Sequence, residues 1–349
     1  MAIENGVRRL VVDLRARASA WALPPDGAEQ LRRSAPAAWE IVFIDALTSS
    51  DGDGGAAPSG EVRAAVAAAE VYFGYGMART LFTSAPRLRW IHSASAGVGG
   101  LLFSEVRSSD VIVTNSAGVH AVPMAEYMLG GILYLLKSFD IALEHQRAGI
   151  WDKSVFAGPA STIRELRDCR VLIVGAGGIG SALATRLTML GARCTGVRRH
   201  PERGIPEGFD RVVGPDDWPE LVSEVDVLVV AAPATSETKS MITGALLDRL
   251  KADAIVVNVA RGSLVDENAL AERLASGRLR GAVLDVFQEE PLPPSSPLWG
   301  LSRVLLTPHV SAVSPHDFWE RELALFVENW HRYVKGEEML NVVNKEAGY

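Results

Sequence analysis

The chain has 349 residues, 48% of them hydrophobic and 22% charged, with a net charge of −7 and two cysteines. That length exceeds one ordinary core and fits two domains, and a modest negative charge spread along the chain argues against nucleic acid or an anionic membrane as main partner. Two cysteines imply no disulfide framework, and no early apolar run is long enough for a signal peptide or membrane span, so the cytoplasm is the expected location.

In chain order, strand-like apolar runs fall at 9–14, 40–44, 71–74, 88–93 and 111–115. A helical pattern covers 61–69, and residues 51–60, rich in Gly, Asp and Pro, predict a flexible loop. A long, mainly apolar helix is expected over 123–147, then an irregular arm over 149–165. Apolar strands recur at 171–174, 192–197, 226–231, 254–259, 281–286 and 303–307, separated by helical segments. Cys169 and Cys194 border two of them and should pack as small hydrophobes. A last amphipathic helix over 317–335 returns to the N-terminal unit. The alternation predicts an α/β chain of two Rossmann-like domains, each a doubly wound parallel sheet, with a cleft between them. Residues 1–117 and 313–349 form one domain and 118–312 the dinucleotide domain.

The strand at 171–174 runs straight into Gly175-Ala176-Gly177-Gly178-Ile179-Gly180, and a helix pattern follows over 181–190. In a G-x-G-x-x-G turn the first glycine allows the tight bend, the second admits a pyrophosphate, and the third lets helix and strand approach. The amides of Gly177, Gly178 and Ile179 at the helix start then face the phosphates. An NAD site wants an acid at the end of the next strand; this chain has Arg198 and Arg199 there, with no acid until Glu202. Two guanidiniums suit a 2′-phosphate, so NADP(H) is the expected cofactor, with NAD(H) the alternative.

Ligands of open parallel sheets gather at the carboxyl ends of the strands. Three consecutive ends here carry Arg261, then Asp285 with Glu290 on its loop, then His309. That set meets the needs of ketone reduction. A histidinium supplies the proton, a carboxylate orients it, and an arginine holds a substrate carboxylate. Each residue alone has an ordinary structural reading as a helix-start, turn or capping residue; their joint placement carries the assignment. His92, His120 and His316 lack metal-ligand spacing, so no metal site is expected.

The glycine turn, the block from Leu250 through Asn258-Val259-Ala260-Arg261-Gly262 to Asp266, Asp285-Val286-Phe287, Glu290-Pro291 and Thr307-Pro308-His309 together resemble the D-isomer-specific 2-hydroxyacid dehydrogenases over almost the whole chain. The resemblance implies His309 as acid/base, Glu290 as its partner, Arg261 as substrate clamp and Asp285 on the nicotinamide carboxamide. It implies Val259 and Ala260 along the nicotinamide ribose, and Pro233 with Thr238 on the adenosine side. The Arg198-Arg199 pair resembles the NADPH-using glyoxylate/hydroxypyruvate reductase branch. Near the N-terminus, Ala96-Gly97-Val98 resembles the loop whose amides hold the substrate carboxylate, and Tyr75-Gly76 the loop lining the side-chain pocket. Gly99 departs from the family, where many relatives carry Asp. Residues 115–118 and 310–314 resemble the two hinges, Pro123 to Tyr127 would open the helix at the nicotinamide edge, and the 123–165 helix and arm would form a homodimer interface, where Trp151 either packs on the partner or plugs the local surface. Trp299, Trp319 and Trp330 are expected as core anchors, Trp319 also as a wall of the pocket. The implied activity is reduction of 2-oxoacids to D-2-hydroxy acids. The rivals are a related phosphoglycerate or formate dehydrogenase and a cofactor-sensing protein without turnover.

Overall fold

Strands buried on both faces set the architecture, and near-continuous runs of Val, Ile and Leu build them. The computed structural model describes residues 7–48 and 57–348, so positions 51–56 of the expected loop lie outside the described residues. The chain divides into two units, Met1–His120 with Val313–Tyr349, and Ala121–Ala312.

The first unit runs β1 (Arg8–Asp13), α1 (Pro25–Ser34), β2 (Trp39–Phe43), α2 (Gly60–Val66), β3 (Val71–Gly74), α3 (Arg79–Phe82), β4 (Trp90–Ser93), α4 (Ser104–Arg107) and β5 (Ile112–Asn115). Its sheet is parallel in the order β2-β1-β3-β4-β5. Val11, Tyr72 and Ile91 face one core; Leu10, Phe73 and Trp90 face the other.

The second unit runs α5 (Ala121–Leu136), α6 (Phe139–Ala148), α7 (Ser154–Ala157), β6 (Arg170–Val174), α8 (Gly178–Met189), β7 (Arg193–Val197), β8 (Arg211–Val213), β9 (Val227–Val230), α9 (Gly244–Arg249), β10 (Ile255–Asn258), α10 (Glu267–Ala275), β11 (Gly281–Leu284) and β12 (Val304–Leu306). Its parallel sheet has the order β12-β11-β10-β9-β6-β7-β8, so the winding reverses at β6, where ligands of such sheets bind. The chain then returns to the first unit as α11 (Phe318–Lys335). This helix stacks Phe326 on Phe73 with ring centroids 4.1 Å apart and buries Trp319 and Trp330.

Two expectations need correction. The single helix over 123–147 is two helices, broken at Ser138, whose φ is +55°. A distant residue makes the break: the guanidinium of Arg280, at the start of β11, donates to the Leu135 carbonyl (2.7 Å) and to both oxygens of Asp140 (2.8 Å). This pair is buried, and apolar periodicity, which continues across the break, gives no sign of it. Sequence reading also passed over β8, a three-residue edge strand, and α1. Trp299 is 58% exposed and anchors no core; its Nε1 donates to the Pro293 carbonyl at the surface. Both cysteines are buried, and burial pushes each thiol up to about 11. No helix among the described residues is long and apolar enough to cross a membrane.

Candidate active site

Each glycine of the turn after β6 meets a different demand. Gly175 has φ +114°, and a Cβ there would lie 2.5 Å from the Ala231 backbone at the end of β9. A Cβ on Gly180 would lie 2.1 Å from the Gly175 carbonyl oxygen, so this glycine lets α8 pack onto the turn. Around Gly177 there is open space, with no atom within 4 Å of where a Cβ would stand. Gly177 is also the N-cap of α8 and offers no side-chain cap, which leaves the first-turn amides, Gly178 and Ile179 among them, to a ligand. Space and uncapped donors together fit a pyrophosphate.

On the neighbouring strand end, Arg198 Nη1 donates to the Gly204 carbonyl (3.2 Å) and Arg199 forms an ion pair with Glu237. Glu237 lies on the loop after β9. Thr238 shapes that loop: its hydroxyl accepts from the Thr235 amide and donates to the Pro233 carbonyl, both at 2.8 Å. The structure thus brings Arg199 together with the loop carrying Pro233 and Thr238. Glu237, the residue that joins them, was not singled out from sequence, because an exposed acid in a turn carries no pattern.

Three adjacent strand ends hold the remaining candidates. Asn258, buried at the end of β10, accepts from the Ala260 amide (3.1 Å) and donates to the Arg261 carbonyl (3.0 Å). It folds the turn that buries Val259, half-buries Ala260 and leaves the Arg261 side chain exposed. Gly262 presses its backbone on the next loop; a Cβ there would lie 1.9 Å from the Phe287 carbonyl carbon. Asp285 is fully buried. It accepts from the Thr307 hydroxyl (2.5 Å) and from the amides of Val310 and Ser311 (2.8 Å each). Those donors bracket His309, whose own amide donates to the carbonyls of Asp285 and Thr307. His309 is held at φ +55°, a backbone that side chains rarely adopt. Its Nδ1 lies 2.8 Å from Glu290 Oε2, and Glu290 Oε1 accepts from the Phe287 amide (2.9 Å). Tyr127 extends the chain inward: Thr307 gives its proton to Asp285, so the Tyr127 hydroxyl, 2.6 Å away, donates to Thr307. Burial pushes the Tyr127 phenol up to about 12, which keeps that proton in place. Asn258, a polar residue in a run of valines, was a signal available in the sequence; Tyr127 had none beyond its helix.

In the other unit, Tyr75 is buried and its hydroxyl donates to the Trp21 carbonyl, while Ser93 holds the Tyr75 carbonyl (3.0 Å). Asn115 Nδ2 donates to the Ala96 carbonyl (2.7 Å). Among the described residues, no acceptor meets the amides of Gly76, Ala96, Gly97 or Val98. The Val98 side chain is buried, which fixes the turn from below. Trp319 packs on Phe318 inside the unit, its Nε1 without a partner.

A family model described as D-isomer specific 2-hydroxyacid dehydrogenase, NAD binding domain, matches residues 129–311. The chain is 33% identical over 273 residues to the glyoxylate reductase of Korarchaeum cryptofilum, a match covering 76% of this chain and 79% of that one. Among solved structures, a D-isomer specific 2-hydroxyacid dehydrogenase from Xanthobacter autotrophicus in complex with NADPH and MES has a TM-score of 0.79 at 28% identity, covering 99% of this chain and 100% of that one. An NADPH-dependent glyoxylate/hydroxypyruvate reductase from Sinorhizobium meliloti, in complex with NADP and sulfate, has a TM-score of 0.77 at 25% identity, covering 98% of this chain and 100% of that one.

Proposed function

This chain belongs to the D-isomer specific 2-hydroxyacid dehydrogenases, and on that premise we propose that it reduces 2-oxoacids of the glyoxylate and hydroxypyruvate kind, or bulkier ones, to D-2-hydroxy acids with NADPH. It is a nicotinamide-dependent oxidoreductase of 2-oxoacids and 2-hydroxyacids. The observation that carries the finer reading is the pair of His309 Nδ1 and Glu290 Oε2, 2.8 Å apart at the end of β12. An ionised carboxylate only accepts, so Nδ1 keeps its proton and Nε2 is the nitrogen that exchanges one with substrate.

The bound nicotinamide supplies the hydride. The substrate oxygen then gains negative charge, and His309 Nε2–H delivers the proton. In the reverse direction the neutral Nε2 removes it. Arg261, whose fork suits a carboxylate, holds the substrate and polarises its carbonyl. The free amides of Ala96, Gly97 and Val98 take the substrate carboxylate. Asp285 holds the His309 loop through three hydrogen bonds, and from the end of β11 it serves the nicotinamide side of the site. Arg198 and Arg199 take the 2′-phosphate, a reading supported by the NADPH complex of the Xanthobacter relative. The same reading has it in the cytoplasm as a homodimer through its arm, the dimer supported by Trp151, 92% exposed, next in sequence to the exposed Ile150.

Turnover of glyoxylate, hydroxypyruvate and phenylpyruvate with NADPH and with NADH tests the whole reading. Reduction of at least one, faster with NADPH, is expected. Tight NADPH binding without any turnover overturns it.

A further inference from the structure

A buried tyrosine in the first unit sits where one proton must choose between two acceptors. Tyr72 lies on β3, and its ring folds along the strand over Gly74; a Cβ on Gly74 would meet the Tyr72 hydroxyl at 2.7 Å. The same hydroxyl is 2.7 Å from Asp13 Oδ2 and 3.1 Å from the Gly76 carbonyl. Asp13 ends β1, directly across from Gly74 in the ladder, so the three groups form a line from β1 to the turn after β3. A tyrosine has one proton to donate. If Asp13 is ionised, both neighbours only accept, and the carboxylate, the stronger acceptor, takes the proton. If Asp13 carries a proton, it donates to the Tyr72 oxygen, and the Tyr72 proton turns to Gly76.

We propose that Asp13 and Tyr72 are positioning residues for the substrate loop: the proton they share decides whether the Gly76 carbonyl is held, and through it how tightly a 2-oxoacid binds. This rests on the reading that Tyr75-Gly76 lines the substrate pocket. The preceding carbonyl, Tyr75, is already held by Ser93, so the Tyr72 bond is the second of two that fix consecutive peptide planes. The peptide whose carbonyl is Gly76 carries the Met77 amide, which meets no acceptor among the described residues and gains a defined direction when Tyr72 holds that carbonyl.

The groups facing Asp13 are Tyr72 from β3, Thr48, and the carboxylate of Glu61 from α2. Burial raises the Asp13 carboxyl above its ordinary range and the Glu61 charge adds to this, while bonds from Tyr72 and Thr48 oppose it; the net direction is up. Glu61 itself accepts from the amides of Asp45 and Ala46 (2.8 and 2.9 Å). The neutral, loop-holding arrangement therefore persists to higher pH than an exposed aspartate would allow, and is lost as pH rises further. The Tyr72 phenol is held well above its usual range by burial, so it keeps its proton throughout.

The test uses two readouts and two variants. The Met77 amide belongs to the peptide whose carbonyl is Gly76, so its ¹⁵N shift reports that bond directly. In the parent protein the shift should pass through one inflection with pH. Asp13→Asn keeps a donor towards Tyr72 at every pH, so the inflection should vanish with the loop held. Tyr72→Phe should also abolish it, with the loop released. In kinetics, the parent's KM for glyoxylate, taken as a ratio to Asp13→Asn at each pH, should rise about two- to tenfold across the same inflection. Tyr72→Phe should keep the high KM throughout, and the KM for NADPH should stay unchanged in all three proteins. A parent shift without inflection, or an inflection surviving in Asp13→Asn, overturns the shared proton. An inflection with a flat KM ratio overturns the link to substrate. Absence of turnover with every 2-oxoacid overturns the proposed function instead, while the Met77 shift still decides the proton.

Discussion

In Ala121–Ala312 the groups we assign to chemistry are side chains, and each hangs from a strand end through a buried partner. Arg261 follows a turn folded by Asn258, and His309 sits between donors gathered by Asp285. In the other unit the groups proposed to meet substrate are backbone amides and carbonyls. Hydroxyls of Ser93 and Tyr72 and the amide of Asn115 hold them from behind. The difference teaches where mutation should hurt. Side-chain chemistry is lost with one residue, whereas a main-chain cradle is only loosened.

The sharpest way to break that contrast is His309→Ala, which should lower kcat for reduction by roughly 10²–10⁴-fold while NADPH affinity stays near the parent value. A loss under tenfold would move the proton donor elsewhere. Next comes Asp140→Ala, which leaves Arg280 buried without its partner. Denaturant unfolding should show a loss of about 3–5 kcal/mol, and any surviving folded enzyme should keep its kcat. An unchanged midpoint would show that the helix break needs no ion pair. Arg199→Ala should reduce the preference for NADPH over NADH by about ten- to a hundredfold in kcat/KM. If the ratio does not move, the 2′-phosphate is read by other groups. Smallest is Ser93→Ala, which removes one holder of the cradle. The KM for 2-oxoacid should rise only about two- to tenfold, with kcat little affected. A collapse of kcat in this variant would erase the distinction between the two regions.

The same contrast explains what could be read from residues alone. The second unit's strands, its glycine turn and its Arg, Glu and His at three strand ends all leave marks, because side-chain chemistry needs particular residue types at particular spacings. The amide cradle proposed at Ala96 to Val98 leaves almost none; only resemblance to a family pointed to it, since any residue supplies an N–H. Breaks set from afar are equally silent. Ser138 ends a helix because Arg280, far along the chain, takes the Leu135 carbonyl, and the local apolar pattern runs on regardless. Glu237 and Asp13 illustrate a third limit. Both are single acids whose meaning comes from what the fold sets beside them.

The burial of both cysteines has a practical consequence for the arm. Cys169 and Cys194 are the chain's two thiols, both sealed in the second unit and both held near 11, so neither forms thiolate readily at neutral pH. A cysteine substituted for Trp151, the most exposed large apolar side chain described, would be the single thiol that a maleimide or spin label reaches quickly. The native chain is in effect pre-silenced for site-directed labelling. One substitution would turn the arm into a reporter whose pairwise distances in solution reveal whether two copies meet there.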